Sequence, residues 1–275
     1  MNALEIILNE RDFNFKIFKK INDGETSEIF LGEFNGRKSI FKLTKRNNFN
    51  LIINEYLKSG VIENISKKNV TPNILFYEKK IGLLIYEYIE IESKNKISKN
   101  IQIIGEQLKK FHQIKFNKRT KTYKDQFNLY INKLNSESKN NYLKEAIELF
   151  NDLKVHENEN ENVFSHNDLN ANNILMSKNN IFFIDFEYSS INNKYFDISK
   201  IIDSLNLNNS EISKFLFGYG IEGNTKEVNK KIKSWSLMNT YTELIWAKYI
   251  NKFNKNFLNE AYLKLLTSKI KQQKL

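Results

Sequence analysis

Residues 164–190 read FSHNDLNANNILMSKNNIFFIDFEYSS, and this stretch decides the architecture. Two short apolar runs, Ile174–Met176 and Ile181–Ile184, flank the polar turn Lys178-Asn179-Asn180, the pattern of a tight antiparallel hairpin. Centred on Asn179, such a hairpin sets Asn173 opposite Asp185 at its open end. Cross-strand partners lie about 4.5–5.5 Å apart at Cα, so an amide oxygen and a carboxylate would meet there. Two oxygen donors so placed suit Mg²⁺, which takes few protein ligands and leaves its other positions to water and phosphate. Asp168 lies in the loop just before Asn173 and adds a second carboxylate outside the metal's own ligands.

On either side of this stretch the chain changes character. Residues 1–90 are strand-rich: Phe15–Ile21, Ile29–Glu33 and Ser39–Leu43 are short apolar runs separated by NDGE and FNGR, with Asn35-Gly36 a strong hairpin signal. Asn50–Lys58 reads as a helix, with Leu51, Glu55 and Lys58 at helical spacing, and strands follow at Ile74–Tyr77 and Leu83–Tyr88. From Ser98 the period becomes helical, over Ile101–Phe111, Phe127–Leu134, Tyr142–Leu153 and nearly everything beyond residue 195. The polar stretch Glu90–Asn100 divides a small sheet lobe, residues 1–90, from a larger helical lobe, residues 91–275.

Lys42 is the odd residue of the first lobe. It sits mid-strand in SIFKL between Phe41 and Leu43, where a charge is costly unless paired, and Glu55 on the following helix is the available partner. The loop INDGETSEIF carries Gly24 with the hydroxyls of Thr26 and Ser27, a set able to hold phosphate through backbone N–H groups and side chains.

Composition removes several function classes. The 275 residues include no Cys, which excludes disulfides, thiolate metal sites and thiol nucleophiles. Lys and Arg number 43 against 32 Asp and Glu, a net charge of +11, yet the only arginines are Arg11, Arg37, Arg46 and Arg119. The lysines are scattered through a chain rich in Asn and Ile, which argues against a nucleic-acid reader built on Arg forks. MNALEIILNERDF is too short and acidic for a secretory signal, and no run approaches the roughly 18 apolar residues of a membrane span. A cytoplasmic protein without membrane insertion is expected.

The pattern H-x-D-x-x-x-x-N, a strand pair and then I-D-F resembles the kinase-like phosphotransferases. More specifically, HND…NNIL followed by IDFEYSS-x-N-x-x-x-FDI resembles the choline/ethanolamine kinase family, kin of the aminoglycoside phosphotransferases, which usually show HGD. The resemblance implies an α+β, bilobal protein-kinase-like fold that uses ATP and Mg²⁺. It implies Asp168 as catalytic base, Asn173 and Asp185 as metal ligands, and Asp197 as a brace for the catalytic loop, with His166 and His112 structural. It further implies that Lys42 holds the α/β-phosphates, that Gly24, Thr26 and Ser27 form the phosphate loop, and that the backbone of Glu87, Tyr88 and Ile89 meets adenine.

For the acceptor, a quaternary ammonium needs aromatic faces plus a carboxylate. Glu243, Trp246 and Tyr249 recur in TELIWAKYI along one helix face, resembling the family's W-x-x-W wall, and Tyr188 and Asn170 match substrate-side positions. Ser204, with Asp203 before it, stands where the family often carries Glu, which favours choline over ethanolamine. The expected activity is transfer of the γ-phosphoryl group of ATP to the hydroxyl of choline. Ethanolamine, thiamine and aminoglycoside acceptors are the alternatives within the enzyme class. An inactive ATP-binding scaffold or a basic RNA-binding protein are the alternatives outside it. Intact Asp168, Asn173 and Asp185 argue against the scaffold.

Overall fold

The computed structural model describes residues 3–24, 27–45, 61–78, 80–92, 100–116, 120–134, 141–155, 158–178, 180–223, 225–253 and 260–274. The helix expected over Asn50–Lys58 with its Glu55, and the loop residue Thr26, lie outside them.

Strands β1 (Phe15–Asp23), β2 (Ser27–Phe34), β3 (Arg37–Thr44), β4 (Ile74–Glu78) and β5 (Leu83–Glu87) form an antiparallel sheet in the order β1-β2-β3-β5-β4. The β2–β3 turn is Asn35-Gly36, both at positive φ (51° and 76°), the left-handed pair that a two-residue hairpin turn demands. Side chains alternate across a strand. Phe41 and Leu43 therefore face a small core with Phe30, Phe34, Leu83 and Ile85, covered by Leu4 and Leu8 of helix α1 (Ala3–Asn9). Ile40 and Lys42 point the other way, alongside Leu84 and Tyr86, which join the larger core. The alternation that buries Phe41 thus turns Lys42 towards the rest of the molecule.

After the short helix α2 (Val61–Ser66), the helical part comprises α3 (Ile101–His112), α4 (Tyr123–Leu134), α5 (Asn141–Val155), α6 (Lys194–Leu205), α7 (Asn209–Tyr219), α8 (Lys226–Phe253) and α9 (Glu260–Gln273). Between α5 and α6 lie two small antiparallel pairs: β6 (Asn162–Ser165) with β9 (Ser190–Asn193), and β7 (Ile174–Ser177) with β8 (Asn180–Phe183). The interlobe connection runs beside β7, with Glu92 N–H donating to the Met176 carbonyl at 2.9 Å.

The β7–β8 register corrects the sequence reading by one residue. Ser177 pairs with Asn180 and Ile174 with Phe183, so two residues rather than three separate the paired strands. Two-residue loops match strand twist, and Lys178 takes the required positive φ of 45°. Asn173 then stands opposite Ile184, whose N–H donates to its carbonyl at 3.1 Å, and Asp185 lies one residue beyond.

Helices α3 and α7 cross with almost no separation. A Cβ on Gly105 would lie 2.2 Å from the Phe215 carbonyl oxygen, and one on Gly218 would lie 2.1 Å from that of Gln102. Gly105→Ala is expected to force the helices apart and cost about 1–3 kcal/mol. A lowered urea midpoint at unchanged slope is the signature to look for.

Candidate active site

The loop between β6 and β7 is tied to the start of α6 by one carboxylate. Asp197, fully buried in the first turn of α6, accepts from the backbone N–H of His166 (2.7 Å) and of Asn167 (2.8 Å) and from His112 Nε2 (2.9 Å). On its other side His112 Nδ1 lies 2.8 Å from the Tyr219 hydroxyl, so both ring nitrogens are engaged. Burial alone would raise the Asp197 carboxyl, but the bonds from His112 and the loop outweigh it and hold the group below its ordinary range. His166 Nε2 donates to the Ile184 carbonyl (2.9 Å), and burial holds the imidazole below its usual value, hence neutral.

Asn167 sits at φ 64°, a conformation open to Gly and Asn but costly for most residues. The Asn of HND meets that requirement here. Its side chain donates to the Tyr188 carbonyl and Ser190 Oγ and accepts from Asn192, knitting the loop to β9. The sequence reading passed over Asn167; its place between His166 and Asp168 was the available signal.

Asp197→Ala leaves two N–H groups and His112 without their acceptor and is expected to cost about 3–5 kcal/mol in urea unfolding. Because the folded-state pKa is depressed, this stabilisation is present above the unfolded value near 3.9 and is lost as pH falls through the lower folded value. Acid titration of stability should therefore show a loss below about pH 4 in wild type that is absent in the variant.

Asp168 emerges from this brace half-buried. Asn173 Nδ2 donates to its Oδ2 (2.9 Å) and to its carbonyl (2.7 Å), and Asn170 Nδ2 donates to Oδ1 (3.2 Å). Burial pushes the carboxyl up to about 6, against the pull of the Lys200 ammonium. A carboxylate poised near neutrality at the end of a rigid loop is suited to accept a proton from a bound hydroxyl.

Asp185 takes the left-handed conformation (φ 70°, ψ 48°), turning the chain sharply out of β8. Its carboxylate and that of Glu187 (2.5 Å) both accept from Lys42 Nζ. Within the described residues the partners of Lys42 are these two; the expected partner Glu55 lies outside the described residues, and Glu187 is a site residue the sequence pattern does not single out. Two carboxylates against one ammonium leave a local charge of −1. Asp185 and Glu187, brought together on Lys42, offer hard carboxylate oxygens of the kind Mg²⁺ takes. Among the described residues no group of three or more His, Cys, Asp or Glu side chains could hold a metal by itself. Gly24 N–H donates to the Ser27 carbonyl at 3.0 Å, closing the β1–β2 turn. The N–H groups of Glu87 and Tyr88 donate to the Asn73 and Lys38 carbonyls at 2.8 and 2.9 Å.

Asp168 opens onto a cavity of about 340 Å³ lined by Asn170, Tyr188, Glu243 and Trp246, as expected, and also by Tyr123, Tyr130, Phe196, Lys200 and Tyr262. Trp246 Nε1 donates to the Tyr188 hydroxyl at 3.0 Å. Tyr249 is not part of this wall: it is 1% exposed and packs on Tyr130, ring centroids 4.9 Å apart. At about 100° per residue, i+3 lies 60° from i but i+6 lies 120° away, so Tyr249 turns out of the face that Glu243 and Trp246 share. Ser204 Oγ accepts from the Ala171 N–H, and Asp203 accepts from Ser236 Oγ, both at 2.5 Å. These two residues line an adjoining cavity of about 220 Å³.

Fold and site together define a phosphotransferase of the protein-kinase-like class. The choline/ethanolamine kinase profile matches residues 18–235, and the chain belongs to that family. Protein LicA of Haemophilus influenzae is 29% identical over 106 residues, 36% of this chain and 40% of that protein, so the matched part spans less than half of that relative. The crystal structure of choline kinase LicA from Streptococcus pneumoniae superposes with a TM-score of 0.77 at 18% identity, covering 99% of both chains. A structure of LicA in complex with AMP superposes with a TM-score of 0.74 at 17% identity, covering 99% of this chain and 100% of that one. Among the described residues no helix is long and apolar enough to cross a membrane.

Proposed function

We propose that this protein transfers the γ-phosphoryl group of ATP to the hydroxyl of a small amino alcohol, choline before others. The observation that carries the reading is the placement of Asp168. Its carboxyl faces an aromatic-walled cavity on one side and is bonded on the other to Asn173 at the mouth of the β7–β8 hairpin.

In this reading residues 1–90 hold the nucleotide and residues 91–275 supply the acceptor site and the reactive groups. Lys42 exchanges its carboxylate partners for the α/β-phosphate oxygens, while Gly24, Thr26 and Ser27 close over the phosphates and the Glu87–Ile89 backbone meets adenine. Asp185 and Asn173, with Glu187 nearby, would hold Mg²⁺, which would supply charge neutralisation on the phosphates. Tyr188 and Trp246 hold the acceptor's ammonium, and Asn170 orients Asp168. The acceptor oxygen forms the new bond to phosphorus, its proton passes to Asp168, and the bond to the β–γ bridging oxygen breaks to release ADP. Positioning and electrostatics supply most of the rate.

Asp168→Asn preserves shape but removes the proton acceptor. It should lower kcat about 10²–10⁴-fold while ATP binding measured by calorimetry persists; loss of binding with the fold intact would instead make Asp168 a nucleotide ligand.

An ATP-consumption panel across choline, ethanolamine, thiamine and kanamycin tests the acceptor, with choline expected to show the highest kcat/KM. Trp246→Ala should then raise KM for choline roughly thirtyfold, the equivalent of about 2 kcal/mol of cation–π contact, with KM for ATP nearly unchanged. Tyr249→Ala, by contrast, should lower the melting temperature. Parallel loss of affinity for both substrates in Trp246→Ala, with a collapsed melting temperature, would remove Trp246 from the cation site.

A further inference from the structure

The acceptor cavity already contains a cation. Lys200 lies on α6 one turn beyond Asp197, lines the cavity, and places Nζ 2.9 Å from Glu243 Oε2 on α8, with side-chain exposures of 16% and 30%. The other oxygen of Glu243 accepts from the Tyr262 hydroxyl on α9. One helical turn earlier on both helices, Asn239 Nδ2 donates to the Phe196 carbonyl and to Ser199 Oγ, each at 2.9 Å. That double bond from Asn239 locks the α6–α8 crossing in register and makes the ion pair a built feature of the wall.

The pair changes what the cavity can recognise. Asp168 and Glu243 are the carboxylates among its described lining residues, and Asp168 is committed to the reacting hydroxyl. Burial would strip the charge from Lys200, but the Glu243 and Asp168 carboxylates outweigh it and keep the ammonium protonated. Lys200 and Glu243 therefore cancel, and the charge of a bound acceptor is balanced by Asp168 alone. A primary ammonium carries three N–H donors and must find acceptors when it leaves water. The carboxylate best placed to offer them is occupied. A trimethylammonium has no donors to satisfy and is held by aromatic faces, which Tyr188 and Trp246 provide.

We infer that Lys200 is a specificity-determining residue: by occupying Glu243 it withholds that carboxylate from primary ammonium acceptors and confines the site to methylated ones. The inference rests on the amino-alcohol kinase reading above.

Two measurements test it. In the wild-type protein, kcat/KM should climb along the series ethanolamine, N-methylethanolamine, N,N-dimethylethanolamine and choline. In Lys200→Met, which keeps the apolar stem and removes the charge, the choline-to-ethanolamine ratio of kcat/KM should fall about tenfold or more, because Glu243 is released to accept a charged hydrogen bond. The double variant Lys200→Met/Glu243→Gln should lose that gain, and Lys200→Arg should retain the wild-type order. A flat methylation series, or an unchanged ratio in a Lys200→Met protein that turns over choline, overturns the inference and leaves the kinase reading standing. Should Lys200→Met fail to fold, the wild-type series decides alone. Absence of turnover with every member of the series would remove both readings.

Discussion

The Asp197 carboxylate, sealed from solvent, receives the backbone N–H groups of His166 and Asn167 and the imidazole of His112, and the path of the reactive loop follows from those three bonds. A buried charge so compensated is expensive to disturb, because losing any donor leaves an ion without its solvation. Its partners come from two separate elements, the loop after β6 and the end of α3, and it ties both to the start of α6. The close α3–α7 crossing at Gly105 and Gly218 fixes where His112 stands, and Tyr219 from α7 holds the far side of its ring. Helix packing far from the cavity thereby reaches Asp168 through one oxygen pair.

Around this brace the site separates its charges into compartments. Lys42 with Asp185 and Glu187 carries a net negative charge at the sheet's inner face, the sign that attracts a divalent cation. Lys200 with Glu243 is neutral as a pair and forms part of the cavity wall. Asp168 lies between them, its carboxyl pushed up to about 6 by burial. In the proposed reading, a neutral wall lets aromatic faces rather than formal charge decide what sits beside Asp168, and the negative patch is where phosphates with a divalent cation would be held.

What the amino-acid order determined by itself was local. Alternation in SIFKL put Phe41 and Lys42 on opposite faces, Asn35-Gly36 specified its turn, and the HND…NNIL…IDFEYSS…FDI string marked the loop, the hairpin and the brace in the right sequence. These signals reside in residue spacing and in backbone conformations that few side chains tolerate, such as the left-handed Asn35, Asn167 and Asp185. Tertiary structure decided the rest. The hairpin register moved by one residue because a two-residue loop suits strand twist, and that shift paired Asn173 with Ile184 instead of Asp185. The described partners of Lys42 lie 143 and 145 residues away in the chain, beyond any local pattern. Tyr249 shares Trp246's spacing signal yet faces the core, since the rotation of α8 is set by what packs on it. Lys200 looked like one more lysine in a lysine-rich chain; only the crossing of α6 with α8, held by Asn239, brings it to Glu243 and makes its charge matter.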